Sequence, residues 1–153
     1  MGLLDDLVSL LFPPKRYGQH CVTPRGEEVK SYAEKRIAEF FQRNGIQYVY
    51  EPLAESHFWI FSNKISRPDF YLPDFNVYVE YWGMVDVEDE FKRAEYIRLM
   101  KWKMAKYRQH GIKFISIYPK NLKNLDWIFR AKFKETIGVE LSPKAKAASE
   151  ERG

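Results

Sequence analysis

The run Arg67-Pro68-Asp69-Phe70-Tyr71-Leu72-Pro73-Asp74-Phe75-Asn76-Val77-Tyr78-Val79-Glu80-Tyr81-Trp82-Gly83 constrains this chain more than any other part of it. Pro73 to Asn76 carry turn chemistry between two apolar runs, so the segment reads as a two-strand hairpin closing on Leu72 and Val77. Antiparallel partners keep a constant sum of residue numbers, so a Leu72–Val77 pair implies an Asp69–Glu80 pair. Directly opposed residues have Cβ atoms about 5 Å apart and share a face. Two carboxylates that close repel each other unless a proton or a cation lies between them. Oxygen donors at that separation suit a divalent cation such as magnesium. Asp69 and Glu80 are therefore candidate metal ligands; the competing reading makes them strand-end acids with basic partners.

The strand period of two sends Val77, Val79 and Tyr81 to one face and Tyr78, Glu80 and Trp82 to the other. Both faces are largely apolar, which places the strand between two layers of an α/β fold. Glu80 then lies among aromatic rings, where an unpaired charge is costly.

At 153 residues the chain is one domain with room for a core, and 45% hydrophobic and 16% aromatic content is that of a folded protein. No apolar run approaches the roughly 20 residues of a membrane span. Met1 to Phe12 is apolar but carries Asp5 and Asp6 in place of a basic region, which argues against a signal peptide. Cys21 is alone, which excludes an intrachain disulfide and fits a reducing cytoplasm. His20, His57 and His110 show no zinc-ligand spacing. Net charge is +4, but its distribution says more than its size. Phe91 to Lys134 holds thirteen Lys and Arg against two acids, Glu95 and Asp126. A basic half beside an acidic pocket suits a protein that holds a polyanion over a cation; the alternative is a solvated helix face.

In chain order, the leucines of 2–12 predict a short amphipathic helix ended by Pro13-Pro14, and 15–24 reads as a loop. Residues 26–44 form the first long helix, with Val29, Ala33, Ile37, Phe40 and Phe41 as its stripe and Asn44-Gly45 as its stop. Glu34 falls within roughly 20° of Phe41 on the helical wheel, so it faces inward unless it reaches around to solvent. Strands follow at 46–53 and 58–61, with His57 in the turn between them. After the hairpin and an acidic loop at 86–90, a second helix covers 91–110 with Ile97, Met100, Met104 and Tyr107 as its stripe. Lys103 sits on the stripe's edge, in line with Tyr96, Leu99 and Tyr107. A β-branched strand at 112–118 precedes a third helix over 122–137 that turns Arg130, Lys132 and Lys134 outward. The organisation expected is an N-terminal helix and loop over 1–25, an α/β domain over 26–141 and a disordered tail over 142–153.

A helix with an inward Glu, a hairpin reading Pro-Asp … Glu, then helix and strand: this order resembles the PD-(D/E)XK nuclease superfamily over most of the chain. Arg67-Pro68-Asp69-Phe70-Tyr71-Leu72-Pro73 with Val79-Glu80-Tyr81-Trp82-Gly83 resembles the branch whose third motif reads E-Y-F/W-G. Met100-Lys101-Trp102-Lys103 is similar to the M-x-W-K signature carried there by the following helix. The resemblance implies a restriction-endonuclease-like three-layer core, a mixed sheet of about four to five strands flanked by helices. It implies Mg²⁺ or Mn²⁺ held by Glu34, Asp69, Glu80 and the backbone carbonyl of Tyr81. The lysine of the usual E-x-K pattern belongs at residue 82, which here is Trp82. The related branch moves it to the next helix, where Lys103 is the matching residue and Lys101 the alternative.

The activity implied is metal-dependent hydrolysis of DNA phosphodiester bonds. Arg25, Lys30, Arg67, Lys101, Lys106, Lys120 and Lys123 are the candidate phosphate contacts. Such contacts position a nucleic acid without reading its sequence, so structure-dependent cutting is expected over sequence-specific restriction. Two other outcomes stay open: an inactive nucleic-acid-binding module of the same fold, motivated by Trp82, and an RNA-processing nuclease. The N-terminal helix is a candidate homodimer interface.

Overall fold

The computed structural model describes residues 21–52 and 68–142 of the chain. They run β1 (Cys21–Val22), β2 (Glu28–Val29), α1 (Tyr32–Arg43), β3 (Val49–Tyr50), β4 (Phe70–Leu72), β5 (Val77–Tyr81), α2 (Glu90–Gln109), β6 (Phe114–Ile117), a 3₁₀ helix at Pro119–Asn124, and α3 (Leu125–Ile137). Arg67, the helix expected over 2–12, the strand expected over 58–61, His57 and the tail beyond Ser142 lie outside the described residues.

The hairpin closes as its turn chemistry requires, with Leu72 opposite Val77 and Phe70 opposite Val79. Asn76 takes the left-handed conformation at φ 49°, which asparagine tolerates better than most residues. β3 pairs antiparallel with β4, and β6 pairs parallel with β5, so the four-stranded mixed sheet has the order β3-β4-β5-β6. The chain is thus an α/β fold.

Helices cover both faces of this sheet. Ile37 and Phe41 of α1 and Phe129 and Phe133 of α3 pack against Phe70, Leu72, Val77, Val79, Ile115 and Ile117. Edge-to-face rings knit this layer, with Phe41 5.4 Å from both Phe70 and Phe129. On the other face α2 lays Tyr96, Leu99, Met104 and Tyr107 over Tyr78, Trp82 and Phe114. No helix among the described residues is long and apolar enough to cross a membrane.

Several local expectations are corrected. Residues 26–31 are not helical: Cys21–Val22 and Glu28–Val29 form a small antiparallel ladder around a turn at Gly26, φ 88°. The helix starts only where Ser31 caps it, its side chain accepting from Glu34 N at 3.1 Å. The third helix begins at Leu125, because Pro119–Asn124 winds as 3₁₀ with Asn121 Oδ1 accepting from Tyr118 N. Two cations expected outward on α3 turn into the scaffold. Arg130 donates to Leu141 O and Asn44 Oδ1, and Lys132 donates to Ser116 O at 2.6 Å.

Candidate metal centre

β5 and β6 run parallel and end together, and that end of the sheet gathers the predicted acids. Carried further, the β4–β5 register sets Asp69 against Glu80 and Pro68 against Tyr81. Even-numbered residues of β5 bond to β6, as Tyr78 N to Lys113 O and Trp82 N to Ile117 O show. Tyr81 therefore directs its N–H and C=O toward β4. Its N–H is taken by Asp69 Oδ2 at 2.6 Å. Proline has no N–H to donate, so Pro68 offers the Tyr81 carbonyl no ladder bond. The adjacent Pro and Asp thus do two jobs at one point: Asp69 ties the strand end down, and Pro68 brings no N–H to the carbonyl.

Glu80 is buried on the α2 face. Lys103 reaches it from the helix, with Nζ 2.5 Å from Oε1, and the ammonium is as buried as the carboxylate. Tyr107 donates its hydroxyl to the same Oε1. One turn apart on α2, Lys103 and Tyr107 therefore grip one oxygen of one acid. Glu34 arrives from the first turn of α1, where Oε2 accepts from Tyr50 Oη at 2.6 Å and Lys30 N at 3.2 Å. These bonds reach Oε2 of Glu34, Oδ2 of Asp69 and Oε1 of Glu80.

The buried acids also act on one another's protonation. Burial, then the Glu80 and Glu34 charges, push the Asp69 carboxyl well above its ordinary value, against the pull of Lys103 and the Tyr81 N–H. Burial also raises Glu34, opposed by Tyr50 and Lys30. Tyr107 is pushed far up by burial and by Glu80 beside it. Tyr96 rises through burial and the Asp69 and Glu80 charges, which places a further α2 tyrosine at the site. For Lys30, burial is outweighed by Glu51, Asp69 and Glu34, so its value rises.

Glu34, Asp69, Glu80 and Lys103 thus share one electrostatic neighbourhood. No three carboxylate, histidine or cysteine side chains among the described residues are drawn together as a metal cage. The donor set itself, oxygen only, is of the kind hard divalent cations take. Lys101 is exposed on α2, away from Glu80. Trp82 brings no cation, but Lys103 Nζ lies 5.7 Å from its ring centroid and its indole N–H donates to Ser116 Oγ at 3.0 Å.

The predicted phosphate contacts divide. Arg25 is engaged within the fold, paired with Glu27 and lying 3.9 Å above the Tyr48 ring. Lys30 pairs with Glu51, whose own N–H donates to Asp69 O at 2.8 Å. Lys106 lies over Trp102, while Lys120 and Lys123 are exposed beyond the end of β6. Sequence reasoning missed Tyr50, Glu51 and the hydroxyl role of Tyr107. Of these only Tyr107 left a signal, since it stands one helical turn from Lys103.

Gly83 has a local reason. A Cβ there would lie 2.7 Å from Cε1 of Tyr81, closer than two carbons pack. Gly83→Ala is expected to cost about 1–3 kcal/mol by overpacking. The penalty should vanish in a Tyr81→Ala background, measured as coupling in denaturant unfolding. Additive costs would show that the ring is not what excludes a side chain.

No protein-family model matches the chain, and no solved structure matches it. It is similar to "Uncharacterized protein MJ1519" of Methanocaldococcus jannaschii, 28% identical over 123 residues. That match covers 76% of this chain but spans only 9% of the relative's length.

Proposed function

We propose that this chain is a metal-dependent DNA endonuclease with a restriction-endonuclease-like core, acting on DNA structure more than on sequence. What supports the reading is that Asp69 feels the charges of both Glu80 and Glu34, with the Lys103 ammonium seated against Glu80. The second carboxylate oxygens, with the Tyr81 carbonyl, would hold Mg²⁺ or Mn²⁺. When bound, such an ion supplies a more acidic water and a Lewis acid for the phosphoryl oxygens. Tyr50 and Tyr107 keep Glu34 and Glu80 oriented. Lys103 sets a fixed positive charge where negative charge builds on the phosphate, which a buried and preorganised group does well. Trp82, locked by Ser116, fills the place of the lysine in the usual pattern, so the cation comes from α2 instead.

The test pairs binding with turnover. Saturating Mg²⁺ or Mn²⁺ should raise the melting temperature, since a ligand at a hundred times its Kd adds about 2.7 kcal/mol. Linear, nicked and branched DNA and RNA, each with either metal, then report cutting. DNA binding without cutting in any metal would replace this reading with the inactive module. Cutting confined to RNA would replace it with the RNA-processing nuclease.

A further inference from the structure

A second feature lies beside the acidic end of the sheet and takes no part in the chemistry above. α1, the 3₁₀ helix and the start of α3 enclose a groove of about 510 Å³. Two aromatic rings on its lining stand out in solvent: Trp127 is 74% exposed and Tyr32 65% exposed. A single exposed ring is ordinary, as Phe91 shows, but two on the lining of one groove make a patch.

The lining carries a small excess of positive charge, three cations against two acids. Arg36, Arg43 and Lys123 line it, and none of them forms an ion pair among the described residues. Arg36 is steadied by donating to Leu122 O at 2.8 Å, which joins the groove's two walls. The lining also has two acids, and both are compensated: Glu39 by Lys35 at 3.9 Å and Asp126 by Arg130 at 2.9 Å. The groove therefore presents more cations than acids, interleaved with flat rings.

Its direction matters as much as its content. Tyr32 is two residues from Glu34, and the 3₁₀ helix leaves β6 at the same end of the sheet as Glu80. From there the groove follows α1 to Arg43, a rise of roughly 16 Å at 1.5 Å per residue. At about 3.4 Å per stacked nucleotide, that length takes roughly three to five nucleotides of one strand. Duplex DNA keeps its bases inside and has no face to offer Trp127 or Tyr32. An unpaired strand offers every base, and aromatic platforms between cations are how such strands are held without sequence preference.

We propose that this groove binds a single-stranded DNA segment, its bases stacked on Trp127 and Tyr32 and its phosphates against Arg36, Arg43 and Lys123. Calling that segment an arm of the cleaved substrate rests on the nuclease reading; the binding itself does not. With that reading, the substrates favoured are duplexes that carry an unpaired arm, over blunt duplexes.

The experiment uses the full chain in EDTA, where nothing is cut, with fluorescently labelled oligo(dT) of twelve nucleotides and a blunt hairpin duplex. Trp127→Ala should weaken oligo(dT) binding by roughly tenfold to a hundredfold and change hairpin binding by less than about twofold. Lys123→Glu should weaken oligo(dT) binding and flatten its salt dependence. Both residues are exposed, so loss of fold is not expected, and circular dichroism checks it. No oligo(dT) binding at low salt, or binding indifferent to both variants, overturns the proposal. So does equal competition by a poly-glutamate peptide, or a preference for oligo(rU). Oligo(dT) binding lost in Trp127→Ala alongside no cutting in any metal keeps the groove and removes the nuclease. Cutting without any oligo(dT) binding does the reverse.

Discussion

Lys103→Met is expected to destabilise the metal-free protein by about 3–5 kcal/mol, the cost of leaving one partner of a buried ion pair uncompensated. Lys103 and Glu80 are both nearly inaccessible, so no water replaces the ammonium when it is removed. Tyr107 still donates one hydrogen bond, but a neutral hydroxyl does not balance a charge. The loss is large beside the roughly 5–15 kcal/mol that holds a domain folded. Adding Glu80→Gln removes the orphaned charge, so the double variant should recover much of the loss in urea unfolding. If Lys103→Met unfolds at the wild-type midpoint, or Glu80→Gln gives no recovery, the pair is not the anchor described here. Lys103→Met should also cut DNA far more slowly at temperatures where it remains folded. Undiminished cutting beside a dead Lys101→Ala would move the role to Lys101.

Asp69→Asn is expected to separate activity from stability. Asn keeps an oxygen for the Tyr81 N–H, so the strand end stays tied. Cleavage should fall by more than the roughly 10–100-fold typical of a residue one layer further from a metal. Stability moves the other way. The folded-state value of Asp69 lies above its ordinary one through burial and the neighbouring acids. Between those two values the folded protein binds more protons than the unfolded chain, so stability falls as pH rises across the window. Asn has no proton to lose and escapes that fall. The metal-free variant should therefore melt no lower than wild type at neutral pH and show a weaker decline from about pH 4 upward. Wild-type cutting rates by Asp69→Asn, or a low melting temperature at every pH, would sink the assignment.

What could be read from residues alone follows from how local each constraint is. The hairpin register was legible because a four-residue turn and a period of two leave little freedom. The inward Glu34 was legible because it shares a wheel position with Phe41, and both are buried. The facing of the second helix was legible only in part. Of the expected stripe, Met104 and Tyr107 are buried, beside Tyr96, Leu99 and Lys103, whereas Ile97 and Met100 are not fully covered. A scale that scores lysine as outward cannot know that a carboxylate waits in the opposite layer. Ile97 and Met100 line an open groove beside Tyr118 and Lys120 instead. The β1–β2 ladder was invisible for a different reason, since strands of two residues carry no periodicity. The exposed rings of Tyr32 and Trp127 went unremarked because they are far apart in the chain and share one groove only in the fold.

The borrowed lysine has a consequence for how the protein could be governed. The acids belong to α1 and the hairpin, whose aromatic layer is shared with α3, whereas the ammonium and the tyrosine that grips Glu80 ride together on α2. Detaching that one helix would strip the positive charge and a hydroxyl at a stroke while the opposite layer stayed intact. Partial unfolding of this kind is cheaper than global melting. A binding partner that pries α2 loose would therefore act as an off-switch without touching a single acid.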